Sequence, residues 1–256
     1  MVRFIKNLKN KIDFFLRKKF SFSRKNYFEK NESKEGLLTN PKILEKEYEL
    51  SKEYSLSYLK NHSSKQNYLE NLYLLDILDQ ILKPKLKNKL KVLDIGSKNW
   101  FYAKGEYFFF KKYCENLFLD GVEIDSKRLY SNFFTRGEVA KFHIKDLENT
   151  RYIESDFLNH KEKYDYIIWI LPFIIEEPLL KWGLPLEYFK PEEMLLHARK
   201  SLKEEGKLFI INQGEAEYNA QKELCEKLNI NYKELREIKS DFLRYKNKRF
   251  AVLIEN

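Results

Sequence analysis

From residue 66 onward, the apolar positions alternate between the period of a helix and the short continuous runs of buried strands. At 66–82, Leu74, Ile77, Leu78 and Ile81 repeat at i, i+3, i+4 and i+7, and Pro84 ends the segment. Strand-like runs, most of them largely apolar, follow at 91–95, 117–123, 151–154, 165–170 and 207–212. Runs this short and this apolar read as strands covered on both faces. Helices are predicted between several of them, at 101–114, 126–134 and 191–204; the last opens on Pro191 and stops before Gly206. This alternation predicts a parallel sheet with helices on both sides. After a helix at 215–228 the rhythm changes. Strands at 232–239 and 249–254 are joined by a stretch too short for a crossover helix, so they should form an antiparallel hairpin on the sheet edge.

The first 65 residues follow a different pattern and are expected to form an N-terminal arm and helical extension, with residues 66–256 as the main domain. In the arm, Phe4, Ile5, Leu8, Ile12, Phe15 and Leu16 fall on one face of a helix. Its longest apolar run, Phe14 to Leu16, is too short for a membrane span or a signal-peptide core. Residues 21–64 are more polar, with loops expected at 21–24 and 31–36; Pro41 opens a helix continuing through 45–59.

Charge sharpens this division. The chain carries a net charge of +9, and residues 1–25 alone hold nine Lys or Arg against one Asp. The remainder is close to neutral, so attraction to polyanions belongs to the arm. Three readings of the arm stand open: packing on its own domain or a partner subunit, lying on an anionic membrane surface, or gripping RNA. The composition, 43% hydrophobic and 34% charged, is that of a folded protein, while the abundant Lys, Asn, Tyr, Phe and Ile match an AT-rich bacterial coding bias. Two cysteines, Cys114 and Cys225, supply neither a disulfide framework nor a metal cluster. The expected location is the cytoplasm, peripherally at the inner membrane surface if the arm binds lipid.

Candidate chemistry gathers where the predicted strands end. Val92 to Ile95 form a buried strand that runs into Gly96, with Asp94 at the turn. The second strand ends in Gly121-Val122-Glu123-Ile124-Asp125 and the third in Tyr152-Ile153-Glu154-Ser155-Asp156-Phe157. A carboxylate at a strand end can accept hydrogen bonds from two vicinal hydroxyls. No Gly-x-Gly-x-x-Gly is present, which weakens a dinucleotide-binding reading.

Five parallel strands, a terminal hairpin and these acids together resemble the class I S-adenosylmethionine-dependent methyltransferases, over residues 66–256. The resemblance implies a Rossmann-like, seven-stranded, mostly parallel sheet with a C-terminal antiparallel hairpin, and S-adenosylmethionine as cofactor with S-adenosylhomocysteine as product. It implies that Asp94 and Gly96 hold the methionine part, that Glu123 takes the ribose hydroxyls, and that Asp156 takes the adenine amine between Phe157 and Ile124. Asp125 is left to cap the following helix. The fourth strand's end, Trp169-Ile170, would face the methyl group. Ile170-Leu171-Pro172-Phe173 is similar to the Asn-Leu-Pro-Tyr element of adenine-dimethylating RNA methyltransferases, but Ile170 replaces the polar residue, so amino-group methylation is not carried over. Where the family has further glycines, this chain has Lys98 and Trp100. Lys98 can still cover the ligand, and Asn99 is expected to take the left-handed geometry.

Methyl transfer needs an aligned acceptor and, for a hydroxyl, a proton acceptor. Candidates are Glu176 and Glu177 in the insertion 174–190, His160, and Gln213 with Asn212 at the end of the fifth strand. No metal-ligand set is expected, because His62, His143, His160 and His197 are scattered. The leading expectation is methylation of an oxygen or nitrogen on a small-molecule or saccharide-linked acceptor, as in bacterial surface-polysaccharide modification. An RNA methyltransferase with the arm as its RNA grip, and a non-catalytic domain whose cofactor site is blocked by Lys98 and Trp100, are the alternatives. Oligomeric state is left open.

Overall fold

The computed structural model describes residues 1–20, 24 and 26–256, so the loop expected at 21–24 lies, apart from Arg24, outside the described residues. Helices α1 (Val2–Lys19), α2 (Pro41–Glu53), α3 (Ser57–Asn61) and α4 (Lys65–Ile81) precede the first strand, β1 (Lys87–Ile95). Next come α5 (Ala103–Lys111), β2 (Cys114–Val122), α6 (Arg136–Ile144), β3 (Thr150–Ile153) and β4 (Tyr164–Ile170). The chain ends with α7 (Glu176–Trp182), α8 (Pro191–Lys200), β5 (Leu202–Gln213), α9 (Gly214–Lys227), β6 (Lys233–Ile238) and β7 (Arg249–Glu255).

Among the described residues the strands form one sheet in the order β3-β2-β1-β4-β5-β7-β6. The first five run parallel, and β7 lies antiparallel between β5 and β6. This is the expected mostly parallel sheet with a terminal hairpin. Successive connections leave β1 in one direction to β2 and β3, then return past it to β4 and β5. The crevice outside the carboxyl ends of β1 and β4 is therefore the switch point where open α/β sheets bind ligands.

The sheet is buried on both sides, which accounts for its continuous apolar runs. Val92 packs with α4 and α5 residues such as Leu75, Ile77 and Phe109, and the same cluster takes in Leu50, Tyr54, Leu56 and Leu59 from the α2–α3 region. The next residue, Leu93, faces the opposite cluster with Leu195, Ala198 and Leu224 of α8 and α9.

Several expected boundaries move. The helix predicted at 126–134 does not form; that segment turns back on itself through a bridge between Leu129 and Thr135, and Phe133 takes a φ of 63°. The helix begins instead at Arg136, where Thr135 and Glu138 exchange side-chain and backbone hydrogen bonds in a capping box. Asp125 caps no helix and is drawn into ion pairs. The single helix expected through 45–59 is broken at Ser55, whose φ of 54° separates α2 from α3. Gly206 lies inside β5 rather than after α8, beside a register shift near Tyr164 and Tyr166.

At Gly105, α5 comes close to the backbone of α4. The Gly105 N–H donates to Asn71 Oδ1 of α4 at 2.7 Å, and a Cβ there would lie 2.6 Å from the Asn71 carbonyl oxygen. A backbone oxygen cannot swing away as a side chain would. Gly105→Ala should therefore lower unfolding stability by roughly 1–3 kcal/mol, the usual cost of overpacking. Urea denaturation checks this, and an unchanged midpoint would show that α4 and α5 can separate freely.

Candidate active site

The turn leaving β1 carries glycine-like geometry mostly without glycine. Gly96 has φ 71°, Lys98 φ 56° and Trp100 φ 43°. Asn99 was expected to take the left-handed position, but Lys98 and Trp100 occupy it. Left-handed backbone costs a non-glycine residue about 1–2 kcal/mol, so it persists where surrounding contacts hold it. Lys98 N–H donates to Glu123 Oε2 at 2.9 Å, and the Tyr152 hydroxyl donates to the Lys98 carbonyl at 2.5 Å. Trp100 N–H donates to the Ser97 carbonyl, and its indole N–H to Glu106 Oε2, both at 2.7 Å. The indole is fully buried against β2, where a Cβ on Gly121 would come within 2.8 Å of the ring. Trp100 thus lies beneath the turn and does not block the crevice.

Above this turn opens a cavity of about 920 Å³. That is at the upper end of the ~300–1,000 Å³ usual for small-molecule sites, so it has room for a nucleoside-sized ligand and a second molecule. Gly96, Lys98, Asn99, Glu123 and Ile124 line one wall, followed by Asp156, Phe157, Trp169 and Ile170. Apart from Asp94, every residue expected to contact the cofactor is on this lining.

Glu123 is 6% exposed and accepts from the N–H groups of Lys98 and Asp125 at 2.9 and 2.7 Å, one on each oxygen. Each oxygen keeps a lone pair for a ligand. Burial pushes this carboxyl up, and the Arg136 guanidinium pulls it back down. Asp94, next to the lining residue Ile95, is fully buried, with no well-formed hydrogen bond on either oxygen, while Tyr102, Glu106 and Trp100 stand beside it. Burial holds its carboxyl well above the ordinary range, and the charge of Glu123 adds to the rise. Glu106, buried beside it, is raised by burial and by Asp94 itself. Buried carboxyls without well-formed hydrogen bonds are rare, and one behind a ligand cavity is suited to an ammonium group. Asp156 Oδ1 caps the short 3-10 turn at Phe157–Asn159, accepting from Leu158 N–H at 3.0 Å, while the residue lines the cavity. These residues fit S-adenosylmethionine: an acid for its amine, an acid for its ribose, and an acid with apolar neighbours for its adenine.

The far wall contains residues the sequence reading passed over. Gln66, Glu70 and Tyr73 of α4 share it with Gln213, Glu217, Tyr245 and Arg249. Tyr73 and Tyr245 meet edge to face at 4.9 Å, and the Arg249 guanidinium lies 4.4 Å from the Tyr245 ring centre. Glu217 accepts from Gln213 N–H at 2.9 Å, and burial raises its carboxyl. One signal was legible: Gln66, Glu70 and Tyr73 fall at i, i+4 and i+7, on one face of the helix. Arg249 pairs with Gln213 across β5 and β7, a register that only the folded hairpin reveals.

The insertion after β4 forms the roof through Pro178, Lys181, Trp182 and Leu184 of the α7 region and through Tyr188. Trp182 lies between cations, with Lys98 Nζ 4.9 Å and the Arg136 guanidinium 4.5 Å from its ring. Of the proposed proton acceptors, Gln213 lines the cavity, whereas His160, Glu176 and Glu177 do not. His160 Nε2 lies 2.5 Å from the Tyr164 hydroxyl, which in turn bonds Asp120. Asp120, His160 and Glu162 are close enough together to suggest a metal, but Asp120 is already held on both oxygens by Arg151 at 2.7 Å. Glu176 pairs with Arg3 at 2.6 Å and Glu177 with Lys181 at 2.9 Å. Asn212 is fully buried and off the cavity.

The sheet order and antiparallel terminal hairpin are those of the Rossmann-like, mostly parallel sheet expected from the sequence. No protein-family model matches the chain, and no curated protein does either. Among solved structures, a methyltransferase from Pyrococcus furiosus overlaps 70% of this chain and 79% of its own, at 19% identity and a TM-score of 0.49. A putative class I S-adenosylmethionine-dependent methyltransferase from Listeria monocytogenes overlaps 81% of this chain and 68% of its own, at 13% identity and a TM-score of 0.49. The precorrin-6y C5,15-methyltransferase of Geobacter metallireducens overlaps 75% and 88%, at 12% identity and a TM-score of 0.46. Overlaps this loose assign neither substrate nor activity.

The state of Asp94 has a thermodynamic signature. A carboxyl whose folded pKa lies above its unfolded value, ~3.9 for Asp, binds a proton on folding. Its contribution to stability therefore falls as pH rises from that value through the folded one. Asp94→Asn removes this penalty. The variant should be more stable than the parent at neutral pH and should lose less stability between acid and neutral pH. Urea melts across that range test it, and equal slopes would show that Asp94 is ionised in the folded protein.

Proposed function

We propose that the protein is an S-adenosylmethionine-dependent methyltransferase that acts on an oxygen or nitrogen of a small-molecule or saccharide-linked acceptor. One observation carries this reading: a fully buried Asp94 and a cavity-lining Glu123 stand at adjacent strand ends, with polar space left beyond them. When bound, S-adenosylmethionine supplies a methyl group on a sulfonium, open to in-line displacement.

The chain's own residues supply position and proton transfer. Glu123 would hold the ribose hydroxyls, Asp94 the amine, and Asp156 the adenine amine, with Phe157 and Ile124 against the ring. Trp169, Ile170 and Leu171 make the apolar floor, where excluding water strengthens every polar contact. On the acceptor side, the rings of Tyr73 and Tyr245 offer faces to a sugar, while Arg249 and Glu70 offer a donor and an acceptor. Glu217, with its carboxyl raised by burial, is the group suited to take a hydroxyl proton. Action on lipid-linked intermediates of surface polysaccharide at the inner membrane surface is consistent with this acceptor wall and with the basic arm.

Calorimetry tests the cofactor half. S-adenosylmethionine and S-adenosylhomocysteine should bind with micromolar affinity, roughly −8 kcal/mol. Glu123→Ala should weaken both by about 1–3 kcal/mol as charge-assisted hydrogen bonds are lost. If the amine ionises Asp94, binding releases a proton, so affinity should rise with pH and the heat should depend on the buffer. No heat and no thermal shift with either ligand would sink the assignment.

The acceptor half is tested by release of S-adenosylhomocysteine against a panel of saccharide acceptors. Glu217→Gln and Gln213→Ala should lower turnover at least about tenfold while cofactor affinity stays within about twofold. An equal loss in both would make these residues structural.

A further inference from the structure

Helix α1 is docked on the domain by its polar side. Asn10 donates to the carbonyls of Leu180 and Leu184 at 3.0 and 2.9 Å, taking up carbonyls at and beyond the end of α7. Asn7 accepts from Leu186 N–H at 2.8 Å, and Arg17 reaches Asp125 at 3.1 Å and the Gly183 carbonyl at 3.2 Å. Phe14 is the one apolar side chain of α1 in the interface, packed with Leu179 and Leu184. The predicted apolar stripe lies on the opposite side and joins no hydrophobic cluster among the described residues. Phe4 is 71% exposed, Leu8 49%, Ile12 51% and Phe15 60%.

An apolar stripe turned to water along a whole helix marks a surface that is covered by something else. Lys9, Lys18 and Lys19 have no carboxylate partner among the described residues, so the chemistry around the stripe is cationic. No described helix is long and apolar enough to cross a membrane. A helix with an apolar face, a basic border and low mean hydropathy lies in the plane of a bilayer interface, with its lysines at the headgroups. A second copy of the chain would bring like charges together across the stripe, which disfavours pairing. RNA would neutralise the lysines but leave Phe4, Leu8, Ile12 and Phe15 in water.

We propose that the outward stripe of α1 is a docking surface for an anionic lipid bilayer, holding the cavity roof of α7 next to the membrane. Because α1 is fixed by polar contacts, its apolar face is available without any rearrangement of the domain. Docking itself does not depend on the methyl-transfer reading; an acceptor drawn from the bilayer does.

The test is co-sedimentation of the full chain with vesicles of phosphatidylcholine, with and without phosphatidylglycerol. Binding is expected to the anionic vesicles and not to the neutral ones, and should weaken with salt. Leu8→Gln with Phe15→Gln should reduce it at least about tenfold at an unchanged circular dichroism spectrum. Lys9→Gln with Lys19→Gln should reduce it by about twenty-five-fold, at roughly fivefold per charge. S-adenosylhomocysteine calorimetry on the same variants should be unaltered, which separates failure of lipid docking from failure of the cofactor reading. Full-length protein left unbound by anionic vesicles at low salt would overturn the proposal. So would equal binding by the Leu8/Phe15 variant, a solution dimer that this variant dissociates, or RNA binding in place of vesicle binding.

Discussion

The contact between the Trp100 indole and the bare face of Gly121 is the constraint on which the site depends. A ring of that size beneath the first turn leaves no space for a Cβ on β2, and it fixes where the chain must pass after Gly96. The turn then brings Lys98 N–H to Glu123, so one carboxylate both braces the turn and faces the cavity. Tyr152, at the third strand, closes the same loop from the other side. Three neighbouring strand ends are tied together through hydrogen bonds that converge on one residue, Lys98.

A second tie lies one residue beyond this wall. Asp125 is 2% exposed and accepts from Arg17, Arg128 and Arg136. Removing one partner from such a cluster costs more than its net worth, because buried charge is left uncompensated. The arm, the irregular segment 126–135 and the start of α6 are thereby held to the end of β2. Charge complementarity, rather than a second apolar core, joins the extension to the domain at this point.

The sheet was legible because its strands are short, apolar on both faces and bounded by clear breaks, and the acids at their ends stand out against that background. What was not legible depended on tertiary partners. Nothing local forbids a helix at 126–134; the capping box at Thr135 and the arginines drawn to Asp125 decide against it. Nor does local preference show that Lys98 and Trp100 would accept left-handed backbone, since the hydrogen bonds that hold them come from β2, β3 and α5. The far wall of the cavity was hidden for a similar reason: Glu70 and Arg249 are far apart in the chain and share a cavity only after the hairpin joins the sheet. Periodicity found the apolar stripe of α1 correctly but could not say which way it faced, because amphipathicity does not distinguish a buried face from an exposed one.

Helix α1 therefore answers to two independent sets of demands. Its inward residues, Asn7, Asn10, Phe14 and Arg17, must match particular carbonyls and a particular carboxylate, so their identity is tightly prescribed by geometry. Its outward residues join no hydrophobic cluster among the described residues and need satisfy only a general chemistry. If that face docks as proposed, exchanges among them should leave the folding equilibrium almost untouched while altering how strongly the protein adheres, and to what. Adhesion and architecture could then drift apart over evolutionary time, because a single helix would carry both on separate sides.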